Sequence, residues 1–207
     1  MKRILLACLA LAACSGGQNY EEIARSMDLP ADVRPICGFP DVLGFEIDDI
    51  DGGAGRGCGV SDPVRVFAVG STRLSTSARL NCDAVGALRT WLDEGAQPAA
   101  RNSRTHIAEI KVAASYSCRS RNNRKGARLS EHAKGNAIDI SGLTLANGDK
   151  LTVLQDYNSS KYAKLMKTLR RAACGTFGTV LGPGSDRYHA DHFHFDVASY
   201  RSGPYCK

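Results

Sequence analysis

Past residue 13 the chain has no apolar run approaching the roughly 20 residues that a membrane-spanning helix needs. No other part of it is therefore expected to cross a bilayer. It has no C-x-x-C pair, which argues against a structural zinc site built from cysteines. Its 7 prolines in 207 residues form no repeat, which excludes a proline-rich rod. No internal repeat and no low-complexity block occurs. Charge of neither sign dominates: 27 Lys and Arg against 21 Asp and Glu leave a net +6. That mild basicity falls short of a nucleic-acid footprint, so no nucleic-acid partner is expected, although an anionic polymer would suit it. Histidine is scarce, with 5 in all, and 4 of them fall in two short segments.

What is present begins with a leader. Met1, Lys2 and Arg3 form a positive start, and residues 4–13 are an apolar stretch of signal-peptide length. It ends Leu11-Ala12-Ala13-Cys14, which resembles a bacterial lipobox. Cleavage before Cys14 would leave that cysteine for lipidation and hold the protein on a membrane surface. Ser15 and Gly16 follow rather than an aspartate, which points to the periplasmic face of the outer membrane in a Gram-negative host. Loss of Lys2 and Arg3 lowers the net charge by two, to +4. Residues 14–34 are expected to form a tether with a short helix at 20–27, and 35–207 a single domain. The chain is expected to act as a monomer.

Six cysteines remain after Cys8 and Cys14: Cys37, Cys58, Cys82, Cys118, Cys174 and Cys206. An even set in an exported chain reads as three disulfides. Pairing neighbours in order joins Cys37 to Cys58, Cys82 to Cys118 and Cys174 to Cys206. Alternating, β-branched residues predict a strand over 64–70. Asn81 is placed to cap a helix running to about residue 94, with Val85, Leu88 and Leu92 on one face and Gly95 as its stop. Trp91 on this helix is expected in the core. Further strands are expected at 106–115, 136–141, 176–181 and 192–197, and a second helix at 160–174 with Leu165, Leu169 and Ala172 inward. Residues 52–59 read as a glycine-rich turn and 119–128 as a basic loop. The layout is α+β, a central antiparallel sheet flanked by helices and stapled by disulfides.

The chemistry sits in Ser130-Glu131-His132-Ala133-Lys134-Gly135-Asn136-Ala137-Ile138-Asp139 and in His189-Ala190-Asp191-His192-Phe193-His194. On a strand, side chains alternate between faces. His192, His194 and Asp196 then share one face, while Phe193, Phe195 and Val197 point into the core. His132 and Asp139 flank Gly135, which permits a tight turn between them. Imidazole and carboxylate are good zinc ligands. His132, Asp139 and His194 supply three and leave a fourth position for water, whose pKa zinc lowers to about 7. A nearby base completes its activation.

Ser130-x-His132-x-x-Gly135-x-Ala137-x-Asp139 resembles the first metal motif of the D-Ala-D-Ala carboxypeptidases. With His189-x-x-His192-x-His194 added, the pattern resembles penicillin-insensitive murein endopeptidase. Both belong to the lysostaphin/carboxypeptidase/hedgehog group of zinc folds. The chain as a whole looks most like the bacterial extensin-like C-terminal domain family over about residues 35–206. The resemblance implies a hedgehog-like or DD-peptidase-like fold, Zn2+ on His132, Asp139 and His194, and a peptidoglycan peptide as substrate. For the base it offers two answers. The endopeptidase pattern points to His192; the carboxypeptidase pattern points to Asp191, a shorter acid than the glutamate usual there. Strand alternation favours His192. Tyr116-Ser117-Cys118-Arg119-Ser120 resembles a carboxypeptidase segment whose arginine faces the scissile carbonyl or a nearby carboxylate, so Arg119 is expected to meet negative charge in one of these two roles. His189 and Ser130 are expected to hydrogen-bond and orient the ligands. Tyr188 and Asp186 are weaker candidates, and His106 is expected at the surface. The implied activity is a zinc peptidase of the cell envelope. The rival is a non-catalytic, metal-stabilised wall-binding lipoprotein, in which a fourth protein ligand such as His189 or Asp196 would close the metal sphere.

Overall fold

A computed structural model describes residues 20–53, 57–200 and 202–207. The leader, Cys14 and the first part of the expected tether lie outside the described residues. Helix α1 (Tyr20–Ser26) packs Ala24 with Val33, Leu43 and Ala68 in a small cluster of its own, so the expected tether carries a packed helix. Strands β1 (Arg34–Ile36) and β2 (Phe39–Glu46) follow. A two-stranded ribbon, β3 (Ile50–Asp51) and β4 (Gly59–Val60), flanks the glycine-rich turn. Then come β5 (Val64–Val69) and β6 (Thr72–Leu80). Helix α2 (Cys82–Thr90) runs through a π-helical turn (Trp91–Ala96) into α3 (Gln97–Arg101). Strands β7 (Ile107–Ala114), β8 (Ala137–Leu145) and β9 (Lys150–Thr152) lead to α4 (Val153–Asp156) and α5 (Ala163–Ala172). Strands β10 (Thr179–Leu181), β11 (Phe193–Asp196) and β12 (Tyr205–Cys206) end the described chain.

The main sheet is ordered β1-β2-β5-β6-β7-β8-β11-β10-β12, with β9 also on β8. The domain is mixed α/β with a large sheet. The sheet is not wholly antiparallel as expected: β6 pairs with β7, and β10 with β12, in parallel. Both exceptions follow from connections that cross over rather than turn back. The helical segment 82–101 links the first pair, and β11 with its following loop links the second.

The helix predicted from Asn81 forms, with the Asn81 side chain accepting a hydrogen bond from the Ala84 backbone N–H at 2.9 Å. Gly95 does not stop it. A Cβ at Gly95 would lie 2.8 Å from the Ala172 Cβ, so the glycine serves the close approach of α5, and the helical turns continue to Arg101. Trp91 is in the core as expected, 1 % exposed, with its indole N–H donating to the Leu169 carbonyl at 2.9 Å. Behind β11, Phe193 and Phe195 are fully buried, edge-on to Tyr157 and Trp91 respectively, with Phe177 stacked on Phe195. The aromatic packing fixes the strand from its inner side.

Three disulfides form, but only Cys174–Cys206 matches the neighbour-in-order pairing. The other two interleave as Cys37–Cys82 and Cys58–Cys118. Phe39, at the start of β2, lies against Gly86 of α2, which carries Cys37 to the head of that helix. Cys58 is thereby left for the segment that follows β7. Order along the chain does not encode that folding back.

Candidate metal centre

Gly135 ends the 3-10 turn Glu131–Lys134 in the left-handed region, φ +68°. A Cβ there would also press on Val60 and the Asn81 nitrogen at 3.0–3.1 Å. Both constraints demand glycine. The Gly135 carbonyl accepts from the Asn81 N–H at 2.9 Å, and the Asn81 side-chain amide donates to Asn136 Oδ1 at 2.6 Å. The turn bearing His132 is thus fastened to the head of α2, and the chain enters β8 with Asp139 on the cleft side.

Strand pairing supplies the other half. β8 and β11 are antiparallel with His194 directly opposite Asp139. His132 Nε2 lies 3.1 Å from Asp139 Oδ2 and 3.2 Å from His194 Nδ1. His194 Nδ1 lies 2.9 Å from Asp139 Oδ1. All three residues are buried. These three residues are the candidate metal-holding group among the described residues. Ligand atoms about 2.0–2.1 Å from one tetrahedral zinc stand roughly 3.3 Å apart, so the observed separations fit a shared cation with small adjustment.

The remaining nitrogens are also accounted for. His132 Nδ1–H donates to the Ser115 carbonyl at 2.7 Å, leaving Nε2 to face the cluster. His194 Nε2–H donates to Asp196 Oδ2 at 2.9 Å, leaving Nδ1 inward. Tying the outer nitrogen to a carbonyl or carboxylate is the usual way a metal-binding imidazole is oriented. The expected orienting residues were different. His189 instead pairs its Nδ1 with Asp186 at 2.8 Å, and its ring stands 5.7 Å from that of His194. Ser130 is buried and makes no side-chain cap bond; its N–H donates to the Arg119 carbonyl at 3.0 Å. The alternation of His192, His194 and Asp196 marked Asp196 in the sequence as sharing the site face, but not as His194's partner. The Ser115 carbonyl carries no sequence signal.

Burial alone would raise the Asp139 pKa, but hydrogen bonds from His132 and His194 overcome this and hold it well below the usual carboxylate range. Burial would lower the His194 pKa, but Asp139 and Asp196 raise it to about 9. Burial lowers that of His189 against the pull of Asp186.

The rim carries the other candidates. His192 Nδ1–H donates to Asp191 Oδ1 at 2.8 Å, and its Nε2 lies 3.7 Å from Asp139 Oδ1. The two residues proposed as alternative bases therefore form one dyad, with His192 inward and Asp191 exposed behind it. Arg119 reaches within 3.8 Å of Asp139 Oδ2 from the segment pinned by Cys58–Cys118. Asp186, Tyr188 and His189 also line the cleft, whose volume is about 450 Å³. His106 is exposed and lines a different hollow.

Fold and site together define a disulfide-linked mixed α/β domain with a His–Asp–His cluster at the floor of a polar cleft. The family model for the extensin-like protein C-terminus matches residues 44–207, and the chain belongs to that family. Searches of curated proteins and of solved structures match nothing.

Proposed function

We propose that this chain is a zinc-dependent peptidase of the cell envelope that hydrolyses D-amino-acid-containing peptide bonds of peptidoglycan, as endopeptidase or carboxypeptidase. One observation carries the reading. Three donors converge in a cleft, each imidazole is held by its outer nitrogen, and a histidine–aspartate dyad stands beside them. Zinc bound there would act as a Lewis acid and lower the pKa of a coordinated water to about 7. His132, Asp139 and His194 would hold the ion, with the Ser115 carbonyl and Asp196 keeping the rings in place. His192 accepts a proton at Nε2 while Asp191 stabilises the resulting imidazolium. The same nitrogen then delivers the proton to the departing amine. The Arg119 guanidinium, 25 % exposed, offers N–H donors to negative charge developing on the carbonyl oxygen.

The choice of peptidoglycan rests on the motif resemblance to the D-Ala-D-Ala carboxypeptidases and the murein endopeptidase. The envelope address, by a lipid on Cys14, rests on the leader. The non-catalytic alternative calls for a fourth protein ligand. Asp196 is engaged by His194 Nε2 and by the Ala198 N–H, and His189 by Asp186, which favours an open site. The test is metal analysis of the purified protein together with mass spectrometry of digested sacculi. Stoichiometric zinc and new peptide products are expected, with both lost in His132→Ala and only the products lost in His192→Ala. Zinc-loaded protein that releases nothing from crosslinked muropeptides would sink the catalytic reading.

A further inference from the structure

The lining of the cleft is mixed. Arg121, Asn122 and Asn123 line it with polar groups, and Tyr188, Tyr200 and Tyr205 contribute aromatic rings. Among the described residues the exposed large hydrophobic side chains are Leu154, Tyr200 and Tyr205, the last two 38 % and 48 % exposed. Two of these three thus meet at one cleft.

Both are anchored by bonds to the sheet. Tyr205 lies on β12, whose neighbour Cys206 is bonded to Cys174. Its N–H donates to the Gly178 carbonyl at 2.7 Å, and the Lys207 N–H donates to Val180 at 2.9 Å. The Tyr200 hydroxyl shares a 3.2 Å hydrogen bond with Thr179. Strand register puts Asp196, Thr179 and Tyr205 in one row across β11, β10 and β12, on the face that carries His194. Two interstrand steps span about 10 Å, and an extended peptide advances about 3.3 Å per residue. Tyr205 therefore stands about 10 Å across the sheet from Asp196 on the strand that carries His194, a span of about three extended residues.

An aliphatic side chain at that distance would favour an enclosed apolar pocket. The cleft provides instead open aromatic faces and the amides of Asn122 and Asn123, which both donate and accept hydrogen bonds. A sugar ring matches that combination, with an apolar C–H face and a rim of hydroxyls. We propose that this outer part of the cleft binds a pyranose ring of the glycan to which the substrate peptide is attached, stacked on Tyr205 beside Tyr200. Lys207 Nζ lies over the Tyr205 ring, 5.8 Å from its centroid, which assigns the sugar to the opposite face. The inference rests on the peptidoglycan reading above.

Calorimetry on zinc-loaded His192→Ala protein, which is expected to bind without turnover, compares a disaccharide-tetrapeptide with the same tetrapeptide lacking sugar. The sugar-bearing ligand is expected to bind about tenfold more tightly. Tyr205→Ala removes that preference, leaving affinity for the bare peptide and zinc content unchanged, and Tyr205→Phe retains it. Equal affinities for the two ligands in protein with Tyr205 intact overturn the proposal, and so does a preference that survives Tyr205→Ala combined with Tyr200→Ala. The first comparison alters no tyrosine, so a misfolded alanine variant cannot shelter the idea. Sugar preference without bond cleavage by the unaltered protein would refute the catalytic reading alone, whereas cleavage without sugar preference would refute this inference alone.

Discussion

On the proposed zinc reading, Asp196→Ala separates the orientation of His194 from its role as a proposed ligand. Asp196 is 3 % exposed and accepts from His194 Nε2–H at 2.9 Å. Truncation leaves that N–H unpaired in a buried site, at a cost of about 1–3 kcal/mol to the fold. The Ala198 N–H loses its acceptor as well. Freed of its partner, the ring can turn or change tautomer, and changes of this type lower metal affinity by about 10- to 100-fold. At zinc equal to 100 times the wild-type Kd, the ion stabilises the wild type by about 2.7 kcal/mol. At the same zinc concentration the variant gains only about 0.4–1.4 kcal/mol. At about 2–4 °C per kcal/mol for a domain of this size, a zinc-induced rise in Tm of about 5–11 °C shrinks to about 1–6 °C. Thermal melts with and without zinc, and competition against a chromophoric chelator, read the two quantities separately. Asp196→Asn, which keeps a neutral acceptor, should fall between. A variant lacking Asp196 that binds zinc as the wild type does would refute the reasoning, whether or not the protein is an enzyme.

Zinc affinity should rise with pH. The His194 pKa in the metal-free fold is raised to about 9, so its stabilising contribution is full below about pH 6.5 and lost as pH climbs through 9. That of Asp139, whose pKa is depressed, is present above about pH 3.9 and lost on acidification through its lower folded value. Metal-free protein should melt highest between those limits, while zinc titrations tighten from pH 6.5 to 9 as the His194 proton is displaced; a flat profile would count against the proton-holding cluster. Gly135→Ala should cost about 1–3 kcal/mol through its positive φ and weaken zinc binding by displacing His132, seen in denaturant melts and chelator competition. Gly95→Val should destabilise by about 1–3 kcal/mol through overpacking against Ala172 yet leave zinc affinity unchanged. Replacing both Cys58 and Cys118 by serine should cost about 2–5 kcal/mol, and peptide mapping of the unaltered protein under non-reducing conditions should recover Cys37–Cys82 and Cys58–Cys118.

Residues with strong local signals were legible. The alternation in β5 and β11, the Asn81 cap and the apolar face of α5 all appear where their patterns fall. Strand β2 was not, because Pro40, Asp41 and Gly44 read as turn residues; Gly44 is there because the Arg65 carbonyl leaves no room for a Cβ. Strand β6 hides behind alternating arginine and serine, although Leu74, Ala78 and Leu80 are buried. At the site, His132, Asp139 and His194 were nameable because imidazole and carboxylate are rare at such spacings. The bond from His132 to the Ser115 carbonyl was not, since every residue has a carbonyl and only the fold selects one.

Register decides which member of the His192–Asp191 pair faces the cluster. His192 and Asp191 are adjacent, just before β11, and point in different directions, with His192 Nε2 3.7 Å from Asp139 and Asp191 exposed. With His194 opposite Asp139, the inward direction two residues earlier belongs to His192. Asp191 is then left outside, yet close enough to hold the imidazole through Nδ1. A one-residue slip of β11 against β8 would move Phe193 opposite Asp139 and turn His194 into the aromatic core. Phe193 and Phe195, packed among Tyr157, Trp91 and Phe177, oppose that slip. The apolar face of the strand therefore determines which polar side chains can reach a metal on the other.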